Sequence, residues 1–584
     1  MPAPSRRKPS DIARRTAEKN AEQHAPSTEI DSGVQKSAAL ISACVLLSRI
    51  TGFFRTWTMA FAMGSTLLAS SYQVANNLPT MLYDMVIGGM LVTAFLPVYV
   101  SAKKRLGNEG GNEYASNLLT LTILFVGAVS IICSICAPQL IYTQSFLSDQ
   151  STMQTSVFFF RFFAFQILLY AAGSIVSGLL NAHRDFLWSS IAPVFNNIIV
   201  IITFVAYAIV APSNPDLALW IIAIGNPLGV AVQLAIQLPA LARNGIHIRP
   251  RINLHDPALK ETLSIGIPAV IVMVTSFMVV SVQNAAAYGV ADNGPSIISY
   301  ARLWFTLPYA FLAVPITTTM FTELSELFAN DNRKGFQSAV IAGCKQILFL
   351  TIPFALFLMV FAYPLVNLYH AGAFTADHVD GVATYLIAVA VSLPFYGVNT
   401  YLQKTFSAMR ALKRYAVYNV ICTALQIAFT LIIATNPALD WHLRMAVIAF
   451  GDTLFFATSD IMCALYLRKR FHGAGANSNR RPRAKRASGV NDEANMGIAA
   501  IVKSSLNGLV CGAAGALVGL LLLNALNALM PFAGSIALSF IYVVVAGIAA
   551  VAVSFGIAWV RHIDDAEPIF NIINSISVRL IRKK

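Results

Sequence analysis

The chain has 584 residues, of which 57% are hydrophobic and only 12% charged, and its net charge is +14. A soluble domain carries about a quarter of its residues charged, so this composition excludes one that must cover a water-facing surface. Many apolar runs approach or exceed the ~20 residues that cross a bilayer as a helix, and they are too uniform for the ~10-residue alternating strands of a membrane barrel.

A polar, basic tail at 1–37 precedes the first predicted span, 38–62. Ala60-Phe61-Ala62 resembles a signal-peptide cleavage site, but the apolar stretch is too long and carries Arg49 and Arg55, so it reads as a retained helix. Further spans are expected at 72–101, 114–137, 156–180, 187–211, 217–242, 261–287, 297–322, 338–368, 381–405, 414–435, 442–467, 497–527 and 533–560. The fold class is all-α, a polytopic membrane protein with about fourteen transmembrane helices.

Alternate loops differ in Lys and Arg. Lys103, Lys104 and Arg105, then Arg184, then Arg243, Arg249 and Arg251, then Arg333 and Lys334, then Arg410, Lys413 and Arg414 fall on one side. The loops at 63–71, 138–151, 212–216, 288–296, 369–380 and 528–532 contain neither residue, and Arg444 near 436–441 is the exception. The positive-inside rule then puts both termini in the cytoplasm, and the protein in the plasma membrane as a multi-pass chain. The excess positive charge is topogenic and does not call for a nucleic-acid partner. The 468–496 loop contains Arg480-Arg481-Pro482-Arg483-Ala484-Lys485-Arg486, read as a membrane-surface anchor, with a protein-docking surface as the alternative.

Two halves overlay weakly. Leu78-Pro79 returns as Leu307-Pro308, while Pro138 matches Pro364, Tyr170 matches Tyr396, Ala182 matches Ala408 and Arg184 matches Arg410, at two nearly equal offsets. A direct repeat of six helices implies two lobes, 38–243 and 244–468, with a transport site between them. The loop 469–496, a helix pair at 497–560 and a basic tail at 561–584 complete the chain.

A charge inside a span costs about 2.5–3.5 kcal/mol on insertion scales and so marks a candidate site. Arg49 and Arg55 lie in the first span, Asp84 mid-way along the second, Arg302 in the eighth, and Asp452 and Asp460 in the twelfth. Six residues of separation splay Arg49 and Arg55 by about a right angle to two-thirds of a turn. One reading makes Arg49–Asp84 a structural pair and lets Arg302 snorkel. The other makes Arg49, Arg55 and Arg302 a cationic site for an anionic headgroup arranged by Asp84, because the guanidinium fork binds phosphate oxygens bidentately. Gly508, Gly512, Gly515 and Gly519 form two GxxxG spacings, read either as close helix packing or as a shallow groove for a lipid tail.

No nucleotide-binding or zinc-protease motif is present. The seven cysteines lie in apolar segments, and Cys133 and Cys136 have no histidine or carboxylate nearby, so neither a metal nor a catalytic residue is expected. No cofactor is expected. Energy would come from substrate asymmetry, the membrane potential or a monovalent-ion gradient.

Ser48-Arg49-Ile50-Thr51-Gly52-Phe53-Phe54-Arg55, Asn77-Leu78-Pro79, Gly88-Gly89 and Ala94-Phe95-Leu96-Pro97 resemble the MurJ (MviN) lipid II flippases of the MOP exporter superfamily. Gly178-Leu179-Leu180-Asn181-Ala182-His183-Arg184-Asp185-Phe186, Ala192-Pro193-Val194-Phe195-Asn196-Asn197, Tyr363-Pro364-Leu365-Val366 and Gly372-Ala373-Phe374-Thr375 continue the resemblance. It implies a flippase, not an enzyme, with two six-helix lobes around a cationic cavity and a terminal helix pair forming a lipid-tail groove. It also implies that Arg49 and Arg55, which match helix-1 arginines required in the family, act in transport. Tyr83 and Asp84 stand where other members carry an arginine pair, and Arg302 comes one position early in Tyr300-Ala301-Arg302-Leu303. The expected activity is movement of lipid II, the undecaprenyl-diphosphate-linked peptidoglycan precursor, from the inner to the outer leaflet by alternating access. The alternatives are a MOP-type exporter of another polyprenyl-linked glycan and a transport-inactive scaffold. In the last case other cell-wall synthesis or division proteins would dock on the 468–496 loop.

Overall fold

The computed structural model describes residues 28–85, 96–148, 153–253, 257–473 and 487–567. Among them every regular element is helical. In chain order these are α1 (Thr28–Met63), α2 (Leu67–Tyr83), α3 (Leu96–Ile135), α4 (Ala137–Tyr142), α5 (Gln154–Phe163), α6 (Phe165–Ala182), α7 (Phe186–Val210), α8 (Pro215–Ala235), α9 (Leu238–Arg243) and α10 (Pro257–Val290). Then come α11 (Gly294–Pro308), α12 (Val314–Ala329), α13 (Arg333–Val360), α14 (Ala362–Asn367), α15 (Ala376–Ala390), α16 (Leu393–Ala408), α17 (Leu412–Phe429), α18 (Trp441–Gly473), α19 (Ala487–Leu529) and α20 (Ile536–Val560).

Eleven helices among the described residues are long and apolar enough to cross a membrane. The number is twelve if α15 and α16, bent by 51° at their break, form one span. Pro394 near the start of α16 accounts for the bend, because proline cannot donate to the preceding turn. Neither α1 nor α2 is among the twelve. The first carries Arg49 and Arg55, and the second has 17 residues and ends beside the undescribed segment 86–95. A count of fourteen requires both of these to cross as well.

Several boundaries differ from the sequence expectation. The loop expected at 102–113 is helical within α3, which is two helices meeting at Gly107, where φ is 74°. The 468–496 loop is shortened from both sides, since α18 runs to Gly473 and α19 starts at Ala487. The RRPRAKR run and both tails beyond 28–567 lie outside the described residues.

The duplication is visible in backbone detail. Helices α6 and α16 end at the matched residues Ala182 and Ala408, and each is followed by an arginine with positive φ, Arg184 at 61° and Arg410 at 54°. The closing hydrogen bonds also correspond: Asp185 N donates to Leu180 O, and Ala411 N to Phe406 O. This is a helix-ending turn that glycine usually supplies, made here twice by arginine. Both Leu-Pro helices pass into π-helical turns after their proline, at residues 84–85 and at Tyr309–Ala313. Such wide turns displace the following side chains around the helix and often accompany functional sites.

Apart from the connecting segment 245–253, which bonds to α3 through Asn112, Ser116, Asn117 and Thr120 in the basic loop region, the hydrogen bonds that join the two halves gather at the other end. Trp57 Nε1 donates to Leu368 O at 2.9 Å, Tyr300 OH to Gly64 O at 2.7 Å, Asn293 Nδ2 to Ser65 O at 3.1 Å and Ala373 N to Phe61 O at 2.8 Å. Ser65 Oγ and Ser296 Oγ lie 2.9 Å apart, and Gln144 bonds both Ser281 and Asn284. Gly64 and Gly372 both have positive φ, and a Cβ on either would stand 2.4 Å from a carbonyl oxygen of the opposite half, Ala373 or Phe61. Buried Tyr300, Tyr369 and Phe374 pack together beneath this seam. All these contacts use the segments lacking Lys and Arg, or the helix ends beside them.

The final pair is anchored by its small residues. Helix α19 lies on α13 and α20, and a Cβ at Gly512 would stand 2.8 Å from Pro353 Cα. One at Gly515 would stand 2.3 Å from Ala550 O. Lys345 of α13 pairs with Asp565, just beyond α20, at 3.0 Å.

Candidate functional site

Helix α1 is fixed along α7 by Asn197, whose Nδ2 donates to Ser48 O at 3.2 Å and Thr51 Oγ1 at 3.0 Å. Gly52 permits the approach: a Cβ there would lie 3.7 Å from the same amide. The other faces of α1 carry the arginines. Arg49 is exposed and Arg55 half-buried, and neither makes a salt bridge among the described residues. Arg55 lies within electrostatic reach of Tyr72 on α2 and Tyr170 on α6. It is two residues from Trp57, so it sits directly beneath the seam between the halves. Arg49 is about 9 Å farther along the helix axis, away from the seam.

Asp84 is half-buried at the π turn ending α2. Among the described residues no ion pair joins it to Arg49, so the structural pair considered from sequence does not form.

Arg302 neither snorkels nor joins the α1 arginines in a shared contact. Its Nη2 donates to Asp452 Oδ2 at 2.8 Å and to Gln283 Oε1 at 3.0 Å. Asp452 Oδ1 also accepts from Gln283 Nε2 at 2.6 Å and Gln426 Nε2 at 2.9 Å. One buried carboxylate thus ties α10, α11, α17 and α18 together. Burial of a lone charge would be prohibitive, and the network removes that cost by pairing it and filling its lone pairs. The Arg302 side chain keeps 36% of its surface exposed, against 10% for Asp452. Gln283 and Gln426 were missed from sequence. The available signal was two glutamines in otherwise apolar spans, at a depth comparable to a charged residue.

Gly508, Gly512, Gly515 and Gly519 of α19 face neighbouring helices. Besides Gly512 and Gly515, a Cβ at Gly508 would stand 3.2 Å from Phe349 Cα and one at Gly519 3.0 Å from Ala550 Cβ and Phe361 Cζ. This face is filled by α13 and α20, as in the close-packing reading of the GxxxG spacing. No cluster of three or more His, Cys, Asp or Glu positioned for a metal occurs among the described residues.

The comparisons with known proteins agree with this architecture. A family model described as lipid II flippase MurJ matches residues 59–489. A probable lipid II flippase MurJ of Rhizobium tropici is 23% identical over 402 residues, covering 68% of this chain and 75% of that protein. The lipid II flippase MurJ of Burkholderia cenocepacia is 24% identical over 360 residues, covering 60% and 69%. Among solved structures, lipid II flippase MurJ in an inward closed conformation aligns with a TM-score of 0.66 at 19% identity, over 89% of this chain and 99% of that one. An inward-facing multidrug resistance MATE family transporter of the MOP superfamily aligns at 0.61 and 13% identity, over 73% and 96%. An outward-facing one aligns at 0.51 and 15% identity, over 76% and 97%. At these identities the structures speak for the fold alone. The family match, which covers most of the chain, decides membership: this multi-pass membrane protein belongs to the MurJ family of lipid II flippases.

Proposed function

We propose that this protein carries lipid II from the inner to the outer leaflet by alternating access. The observation that carries the reading is the pair Arg49 and Arg55, two guanidinium groups inside a membrane helix without carboxylate partners among the described residues. An anion must offset such charge, and a diphosphate does so with oxygens matched to the guanidinium fork. Arg302, already neutralised by Asp452, offers its exposed remainder as a third contact, while Asp84 on the facing helix makes no ion pair with any of the three among the described residues and stays clear of the headgroup contacts.

The seam between the halves supports an inward-facing arrangement. It lies at the end whose loops lack Lys and Arg, which the positive-inside rule places outside, with both termini in the cytoplasm. Transport then requires this seam to part while the opposite end closes. MATE relatives of the same fold solved inward- and outward-facing support such a rocking motion. The polyprenyl tail stays in lipid throughout. Coupling to the membrane potential or to a monovalent ion supplies direction, and no cofactor takes part.

The test is lipid II exposure on the outer leaflet of cells depleted of their own flippase and supplied with this chain. Restored exposure is expected. No restoration, with the protein verified in the membrane, would move the substrate to another polyprenyl-linked glycan, or the role to a scaffold acting through the 468–496 loop.

A further inference from the structure

A second chemical environment lies away from the α1 arginines. A cavity of about 440 Å³ is bounded by α13, α16, α18 and α19. This volume is within the range of small-molecule sites, roughly 300–1,000 Å³. Its wall is mostly apolar, with Val340, Leu348, Phe395 and Ile501 among the lining side chains. Neither Arg49, Arg55 nor Arg302 lines it. Among the described residues its one basic lining side chain, Arg468, stands about 12 Å farther along α18 than its one acidic side chain, Asp460.

Asp460 is held in place on one side only. Its Oδ1 accepts from Asn399 Nδ2 at 3.0 Å, and Asn399 is itself oriented by Tyr415 OH, which donates to Asn399 Oδ1 at 2.8 Å. The same amide also donates to Ser459 Oγ at 2.8 Å. Oδ2 is enclosed and has no hydrogen-bond partner among the described residues. Buried polar groups left without a partner are rare in folded proteins, and each calls for a reason. Asp452, two turns away on the same helix, shows how this fold completes a buried carboxylate when the purpose is structural: both oxygens are used.

The cavity opens toward lipid. Ile461 and Leu465 of α18 are 60% and 59% exposed, and Ile498 and Val502 of α19 are 47% and 60% exposed, while all four also line it. An occupant therefore enters sideways from the bilayer. A plain hydrocarbon tail would fill the wall but leave Oδ2 without a donor. A carboxylic acid or phosphate would set its own acidic oxygens against the Asp460 carboxyl. The complementary molecule has an apolar body and one N–H donor carrying positive charge.

We propose that this cavity binds lipophilic amines, with the protonated nitrogen delivered to Asp460 and the alkyl body lying between α18 and α19. The inference does not rest on the transported substrate, so its failure would leave the flippase reading untouched.

The test uses the full chain in detergent and radiolabelled dodecylamine at pH 7, with dodecanol and dodecanoic acid as chain-matched competitors. The amine should bind saturably, and each competitor should displace it at least tenfold less effectively. Asp460→Asn, which keeps an acceptor for Asn399, should weaken amine binding about tenfold. Val502→Trp, at an exposed position on the mouth, should weaken it by a similar factor without lowering the unfolding temperature. This second variant keeps the test decisive if Asp460→Asn does not fold. Absence of saturable amine binding, equal competition by either competitor, or undiminished binding in the folded variants would overturn the site. Equal competition by dodecanol would reduce it to a slot for hydrocarbon, and by dodecanoic acid would shift recognition to Arg468.

Discussion

The guanidinium of Arg302 and the carboxylate of Asp452 meet at 2.8 Å across 150 residues of chain, joining α11 to α18. Gln283 and Gln426 complete the carboxylate from α10 and α17. Removing one partner strands the other. Asp452→Ala is expected to destabilise the protein by about 3–5 kcal/mol, the usual cost of breaking a buried pair. The double variant Arg302→Met, Asp452→Leu should recover much of that loss. Thermal unfolding in detergent measures both. Strictly additive losses would refute the coupling.

Arg55 lies beneath the seam between the halves and has no carboxylate partner among the described residues. Arg55→Ala should abolish outer-leaflet lipid II while expression and membrane insertion persist. Arg55→Lys should retain the charge but lose bidentate geometry, leaving activity between the two. Wild-type exposure of lipid II in the alanine variant would remove Arg55 from the transport site.

Ser65 and Ser296 face each other at 2.9 Å, one from each half. Cysteines at both positions should form a disulfide under oxidation and hold this end shut. Flipping should stop on oxidation and return on reduction, while each single cysteine remains active. Continued transport by the cross-linked protein would show that this seam need not open.

The glycines of α19 and α20 should respond unequally to added volume. Gly515→Ala would place a Cβ 2.0 Å from Ser554 Oγ and 2.3 Å from Ala550 O, whereas a Cβ at Gly556 meets nothing within 4 Å. The first substitution should cost about 1–3 kcal/mol through overpacking, and Gly556→Ala should be near neutral. Comparison of unfolding temperatures tests this. Equal effects would mean that α19 and α20 are not packed through Gly515.

Features set by local sequence are legible in the chain alone. The span-length apolar runs specify the helical membrane class, and the matched residues Ala182 and Ala408 are matched helix ends. The α1 arginines stand out because a charge in an apolar run needs no partner to be noticed. The partner of Arg302 does not stand out. Which carboxylate it meets depends on the mutual rotation of α11 and α18, and their sequences constrain that rotation only through packing against α10 and α17. The GxxxG spacing on α19 has the same limitation: it specifies a small-residue face and leaves open whether protein or lipid covers it. The bend between α15 and α16 is hidden inside a run apolar enough to look continuous.

The two halves of the duplication have come to differ electrically. In the second half, positive charge is matched locally by Asp452, so a rigid movement of that cluster through the membrane field carries no net charge and does no work against it. In the first half, Arg49 and Arg55 have no such counter-charge among the described residues. Each elementary charge displaced across 100 mV is worth about 2.3 kcal/mol. On the proposed cycle, voltage would act on the first half when it is empty and far less once an anion is bound there. A membrane potential that is negative inside would then draw the unloaded arginines back toward the cytoplasm, a return stroke for the proposed cycle that the loaded protein would not feel.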